Sequence, residues 1–274
     1  IIGNPIHSLS HNEKRTQIYN ALLDSYSFSD NLTLSDFHSD DHFLIKHVFL
    51  FIIYHKYTEQ LDTVIQSQLS QPTKNVTVSF ATTITNDLTN FGISKEESIH
   101  FIGLFFQIRR AFYFIFSYLI GTNSAINQLR IHLWNAIFTH NLHQYNDYLW
   151  NKMEDFSTLL LGETGTGKGL AAAAIGQSGF IPYDPNNSQF KAAFTQCFHS
   201  INLSEIPDSL IESELFGYAK GAFTGADQDR PGLLDLCSKY GAIFLDEIGD
   251  VSSQTQIKLL KVLQERTFSP CWQL

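Results

Sequence analysis

The run Gly162-Glu163-Thr164-Gly165-Thr166-Gly167-Lys168 restricts what this chain can fold into more than any other stretch of it. Glycines at 162, 165 and 167 permit a turn too tight for larger side chains, so that successive backbone N–H groups converge, and Lys168 adds a point charge beside them. The apolar stretch 156–161 precedes the loop, and Lys168 to Gln177 reads as a helix. Strand, glycine loop and helix form the βα unit whose loop amides and helix N-terminus cradle a phosphate. A glycine-rich turn with a merely solvated lysine is the plainer alternative, and the flanking strand and helix patterns speak against it. The general pattern continues from the lysine to Ser or Thr, whose hydroxyl reaches Mg²⁺. Here Gly169 follows Lys168. Glycine there weakens the helix start by about 1 kcal/mol relative to alanine, without removing the cradle.

Further along, Ile243-Phe244-Leu245-Asp246-Glu247 is an apolar run ending in two acids. A buried strand that delivers Asp246 to a sheet edge suits a Mg²⁺ ligand, and Glu247 beside it can orient or activate an attacking water. Alone, such a pair could equally cap a helix. Together with the cradle it points to nucleotide hydrolysis.

Between these two halves lies Ile211-Glu212-Ser213-Glu214-Leu215-Phe216-Gly217, followed by Gly221-Ala222-Phe223-Thr224-Gly225-Ala226. Small residues at 221, 222, 225 and 226 allow a mobile loop, with Phe223 as an exposed aromatic anchor and Thr224 as a polar contact. An apolar tip on a flexible stalk suits gripping a partner. The cradle, the acidic pair and this loop together resemble the AAA+ domain of bacterial sigma-54-dependent transcriptional activators, the enhancer-binding proteins. The resemblance covers about residues 153 to 269. It implies an α/β fold, an incomplete AAA+ P-loop NTPase core with a parallel sheet flanked by helices. It also implies ATP and Mg²⁺ as cofactors, with residues 162–169 holding ATP, Asp246 the metal and Glu247 the water. Asn202, on the preceding strand, occupies the position of the family's asparagine that restrains the catalytic glutamate. The implied partner is the sigma-54 factor of RNA polymerase, contacted by residues 221–226, with ATP hydrolysis coupled to promoter opening.

Composition divides the chain in two. Ten of the eleven histidines and the long apolar periodicities fall before residue 145, and the glycine punctuation comes after it. Leu61, Val64, Ile65 and Leu69 recur at helical spacing, and Ser94 with Glu97 forms a capping box opening a helix over about 95 to 120. Ile126, Leu129, Leu133 and Ile137 predict a second helix after Thr122 and Ser124, and Leu142 to Met153 reads as a connecting helix. Residues 73 to 85, rich in Thr and Val, are the one strand-like or loop-like interval. Residues 1–140 are therefore expected to be a mainly helical, regulatory module, and 141–274 the ATPase domain. In the latter, Phe198 to Leu203 and Gly241 to Leu245 read as strands, and Leu210 to Phe216 and Ser253 to Glu265 as helices.

The net charge of -9 argues against DNA contact by these residues. Cys197, Cys237 and Cys271 show neither pairing nor metal-ligand spacing, which fits a reducing cytoplasm. The apolar stretches Phe43 to Tyr54 and Ala111 to Ile120 are interrupted or bounded by charge and fall short of the about 20 residues of a membrane span. His38, His42, His47 and His55 lack a compact metal-binding spacing, and Arg109-Arg110 reads as a solvated or ion-paired patch. The chain starts at Ile1, and its ending, 267–274, departs from the family's continuation. The family's sensor asparagine, arginine fingers, helical lid and helix-turn-helix domain are thus expected beyond Leu274, together with the ring assembly and DNA contact they support. Two alternatives remain open: a nucleotide-binding fragment that does not hydrolyse ATP, and an AAA+ remodeller of another substrate.

Overall fold

The computed structural model describes residues 32–153, 156–265 and 267. The expectations attached to Ile1, Cys271 and the ending after residue 267 lie outside them. After two short 3-10 turns, five α-helices follow in the described chain: α1 (His42–Lys56), α2 (Thr58–Ser70), α3 (Ala81–Asn90), α4 (Lys95–Tyr118) and α5 (Ser124–Phe138). α4 begins where the capping signal puts it, the Ser94 side chain accepting from the Glu97 N–H at 3.2 Å. α5 is capped by Asn123 rather than by Thr122 or Ser124, its side chain accepting from the Ile126 N–H at 2.9 Å.

Residues 81–85 correct the expectation of a strand or loop. They open α3, because Ala81, Ile84 and Leu88 fall on one helical stripe and are fully buried, outweighing the β-branched preference of the threonines between them. The connecting helix is shorter than expected, a turn at Leu142–Gln144 running into a π-helical turn at Tyr145–Leu149.

α4 is the centre of the molecule. Among the described residues it is the one helix long and apolar enough to cross a membrane, but 61% of its apolar window is buried inside the protein. Phe101, Ile102, Phe105, Phe106, Phe114 and Ile115 point into a core shared with α2, α3 and α5. The same core continues past residue 141 to Ala171, Ala174, Ile181, Tyr183, Phe190, Phe194 and Cys197. The expected division at 140/141 is therefore not a break in packing.

Beyond it, α6 (Lys168–Gly176) leads to a small antiparallel hairpin, β1 (Tyr183–Asp184) with β2 (Gln189–Phe190). β3 (Phe198–Asn202) and β4 (Ala242–Asp246) then pair in parallel, with Asn202 opposite Asp246. α7 (Asp208–Phe216) and α8 (Ser253–Glu265) enclose a second, smaller core of Leu203, Ile211, Leu215, Phe216, Val251 and Leu259. An ion pair between Glu212 and Lys258 ties these two helices together.

The parallel sheet is smaller than expected. Residues 156–161 have no regular secondary structure and join no ladder, and Phe156, Leu159 and Leu161 are exposed. A strand is held by its neighbour's hydrogen bonds, and among the described residues β3 and β4 pair only with each other, so this apolar run has no ladder partner.

Candidate functional site

The glycine loop is built as its sequence demands. Gly165 and Gly167 take φ of 83° and 92°, in the left-handed region that favours glycine, and a Cβ at either would meet nothing within 4 Å. The requirement is conformational, and the space above the loop is open. Gly162 answers a close approach instead, since a Cβ there would lie 2.9 Å from Thr166 Oγ1. Thr166 closes the turn, donating its hydroxyl to the Glu163 carbonyl at 2.7 Å. Glu163, Thr164, Gly165 and Thr166 are exposed, and Lys168 is half-buried.

α6 starts at Lys168 behind Gly167, which offers no side-chain cap, and its first intrahelical bond runs from the Ala171 N–H to the Gly167 carbonyl at 3.0 Å. The N–H groups of residues 168–170 thus face outward at the positive end of a helix dipole. Lys168 Nζ donates to the carbonyls of Gly162 at 3.0 Å and Glu163 at 3.2 Å, keeping its charge over the loop. Uncapped amides, a cation and unfilled space suit an anion of phosphate size. Gly169, in the first turn of α6, faces β4: a Cβ there would stand 4.0 Å from Phe244 Cε1. The cradle helix therefore packs on the strand that carries the acidic pair.

Asp246 ends β4, and the Glu247 N–H donates to Asp246 Oδ1 at 3.1 Å. Glu247 sits at φ 53°, ψ 41°, a left-handed conformation costing a non-glycine residue about 1 kcal/mol. Strain of this kind persists where surrounding contacts over-determine it, and here the Asp250 N–H donates to the Glu247 carbonyl at 3.0 Å. Asn202 lies beside Asp246 in the strand register, but its side chain is committed elsewhere. Its Oδ1 accepts from the Ser204 N–H and hydroxyl, and its Nδ2 donates to Glu205 Oε1 at 2.9 Å. It caps the one-turn helix Leu203–Glu205 and does not touch Glu247 here, because that adjacent turn supplies nearer partners.

The third segment is a closed loop on a narrow neck. Tyr218 and Arg230 exchange backbone hydrogen bonds at 2.9 and 2.8 Å. Just below, Gly217 and Gly232 let the two passing backbones touch, and a Cβ on either would run into the other strand. The Gly221 N–H donates to the Ala226 carbonyl at 2.8 Å and the Ala226 N–H to the Phe223 carbonyl at 3.0 Å, with Gly221 and Gly225 left-handed. Ala226 is buried, Ala222 is half-buried and Thr224 is exposed. Phe223 is 46% exposed and meets Tyr218 edge-on, ring centroids 4.9 Å apart.

Three of the four flagged histidines bond to local carbonyls, His42 to Phe37 O at 3.0 Å, His47 to Phe43 O at 2.7 Å and His55 to Phe51 O at 2.8 Å, and the His38 Nδ1 accepts from the Asp40 N–H at 3.4 Å. Among the described residues no group of three or more His, Cys, Asp or Glu side chains could hold a metal ion. Arg109 pairs with Asp62, as an ion-paired patch would. Arg110 does not fit that expectation. It is fully buried, because the stripe on which it lies is the core face of α4, and it donates to backbone carbonyls. Gln107 and Arg110, polar residues three apart on an apolar helical stripe, were the sequence signal for it.

Residues 138–272 match the family model of the Sigma-54 interaction domain. The transcriptional regulator VasH of Vibrio cholerae serotype O1 is 42% identical over 152 residues, covering 56% of this chain and 23% of VasH. The transcriptional regulatory protein GlrR of Escherichia coli K12 is 46% identical over 116 residues, covering 42% of this chain and 23% of GlrR. The solved structure of NtrX from Brucella abortus aligns with 69% of this chain and 38% of its own at 20% identity, with a TM-score of 0.38. The chain thus spans about a quarter of the length of these curated relatives.

Proposed function

We propose, from the premise that this chain belongs through residues 138–272 to the family of sigma-54-dependent transcriptional activators, that it binds Mg-ATP and presents a loop to the sigma-54 factor of RNA polymerase. The observation that carries the reading is the packing of Gly169 against Phe244, which sets the phosphate-binding helix on the strand ending in Asp246 and Glu247. Amides of the loop 162–167 and of the first turn of α6 would hold the phosphates, and Lys168 would leave its own loop carbonyls for a phosphate oxygen. Asp246 would hold Mg²⁺, whose chemistry is to neutralise charge on the phosphates. Glu247 would accept a proton from the attacking water, with Asn202 one strand away as the residue able to restrain it. The loop 221–226 would contact sigma-54 more strongly in one nucleotide state than in another, which is how hydrolysis could drive promoter opening. Within an AAA+ ring the neighbouring subunit would supply further groups, and the compartment would be the cytoplasm. Isothermal calorimetry tests the core of the reading: the chain should bind Mg-ATP and Lys168→Ala should not, and equal affinity for both would sink the assignment.

A second reading is nucleotide binding without turnover. It is favoured by residues 156–161, which feed the cradle yet lie outside any ladder, and by the engagement of Asn202 with Ser204 and Glu205. Steady-state phosphate release separates the two, since only the first reading predicts release that Glu247→Gln removes.

A further inference from the structure

Side chains along one face of α4 converge on the segment that leaves the far end of α6. Arg110 Nη1 donates to the Gln177 carbonyl at 2.7 Å and Nη2 to the Gly179 carbonyl at 2.6 Å. Gln107 donates to the Ser178 carbonyl at 3.0 Å, and the Tyr118 hydroxyl donates to Gln177 Oε1 at 2.9 Å. Gly103 lets the Phe180 ring lie against the helix, since a Cβ there would stand 2.9 Å from Phe180 Cζ. Residues 103, 107 and 110 follow the spacing of a single helical face.

The carbonyl end of a helix carries partial negative charge and favours a cation. Among the described residues no carboxylate hydrogen-bonds or pairs with Arg110. The carbonyls of Gln177, the C-cap of α6, and of Gly179 just past it answer its charge, together with the rings of Phe106 and Phe194, whose centroids lie 4.6 and 5.5 Å from the guanidinium carbon. Burial pushes Arg110 down to about 10, so it remains charged at neutral pH. α6 has nine residues, about 13 Å of rigid rod, with the Arg110 grip at one end and Lys168 at the other.

We propose that Arg110 is a positioning residue for the phosphate cradle: by holding the carbonyl end of α6 it fixes where Lys168 and the amides of 168–170 stand, so that nucleotide affinity depends on the placement of α4. The proposal rests on the nucleotide-binding reading above and adds a control on that site. A packed rod with one end clamped transmits displacement to the other, and the coupling is reciprocal.

The test compares the full chain with Arg110→Gln and Arg110→Lys. Hydrogen exchange is followed over 162–171 and 177–181 without ligand, and Mg-ATP affinity is measured by calorimetry. Arg110→Gln should quicken exchange in both segments and weaken Mg-ATP about tenfold, whereas Arg110→Lys, which keeps a cation at the helix end, should recover most of both. Faster exchange confined to 177–181, with cradle amides and affinity as in the wild type, overturns the proposal and leaves Arg110 a packing residue. Should Arg110→Gln not fold, Tyr118→Phe removes one hydrogen bond to Gln177 and must move the same two segments together, by a smaller factor. Absence of any change in the cradle of that variant likewise overturns the proposal. Wild-type protein that binds no Mg-ATP defeats the nucleotide reading alone, and the two exchange segments then decide whether Arg110 positions the loop.

Discussion

Gly169 stands where a hydroxyl-bearing residue would complete the usual phosphate loop, and its surroundings say what it costs. A methyl group there meets Phe244 at an ordinary van der Waals distance, and the backbone is helical, so nothing in the packing demands glycine. Gly169→Ala should therefore stabilise the chain by about 0.5–1 kcal/mol through reduced backbone entropy, read as a rise in the urea midpoint at unchanged slope. A lowered midpoint would mean that the first turn of α6 needs the glycine. Glu247 presents the opposite case. Its left-handed backbone could not be anticipated from the run that precedes it, because the strain is imposed by the turn after β4 and by the Asp250 hydrogen bond. The partners of Arg110 are hidden for a related reason, since backbone carbonyls leave no mark in sequence, although its place with Gln107 on an apolar stripe marks the residue itself as buried.

Elements with a cap or a full stripe of apolar residues were legible, and those that depend on a distant neighbour were not. Ser94, with Glu97 three residues on, marked the start of α4. The spacing of Leu61, Val64 and Ile65 marked α2, and all three are buried. By contrast 156–161 has a strand's composition, yet strand character belongs to a pair. The β1–β2 hairpin was missed because its strands have two residues each, too few for an alternating pattern, although Pro185-Asn186-Asn187-Ser188 is turn chemistry. At this scale the loop 221–226 makes the sharpest functional expectation. Its neck is anchored by the Tyr218 and Arg230 backbone pair and is separate from the cradle. On the proposed reading, Thr224→Ala should keep Mg-ATP affinity and lose sigma-54 capture in a pull-down with a transition-state analogue. Phe223→Ala should weaken capture about thirtyfold, as loss of an aromatic anchor worth about 2 kcal/mol would. Capture at wild-type strength by either variant would favour an AAA+ remodeller of another substrate.

The whole molecule carries a pH dependence at the junction of its parts. His100 lies between Trp150 and Phe180, ring centroids 4.8 and 5.3 Å away, and its Nε2 meets Asn146 Oδ1 at 2.9 Å. Burial holds its pKa below the usual 6.5, against smaller opposing effects of the Asn146 hydrogen bond and of Glu97 and Asp147. A folded pKa below the unfolded one means that the unfolded chain binds more protons between the two values. The contribution is fully present above 6.5 and is lost as pH falls through the folded value. Denaturation midpoints measured from pH 7.5 downward should fall, and His100→Gln should flatten the part of that fall due to this ring; an unchanged slope would exclude His100 as its source. The continuous core described above has a practical meaning for anyone cutting this gene. Starting expression at residue 141 would strip α2 to α5 from Ala171, Ala174, Ile181, Phe190 and Phe194, and leave those side chains facing water. Such a product should collect in the insoluble pellet, while the same residues expressed behind their helices stay in the supernatant.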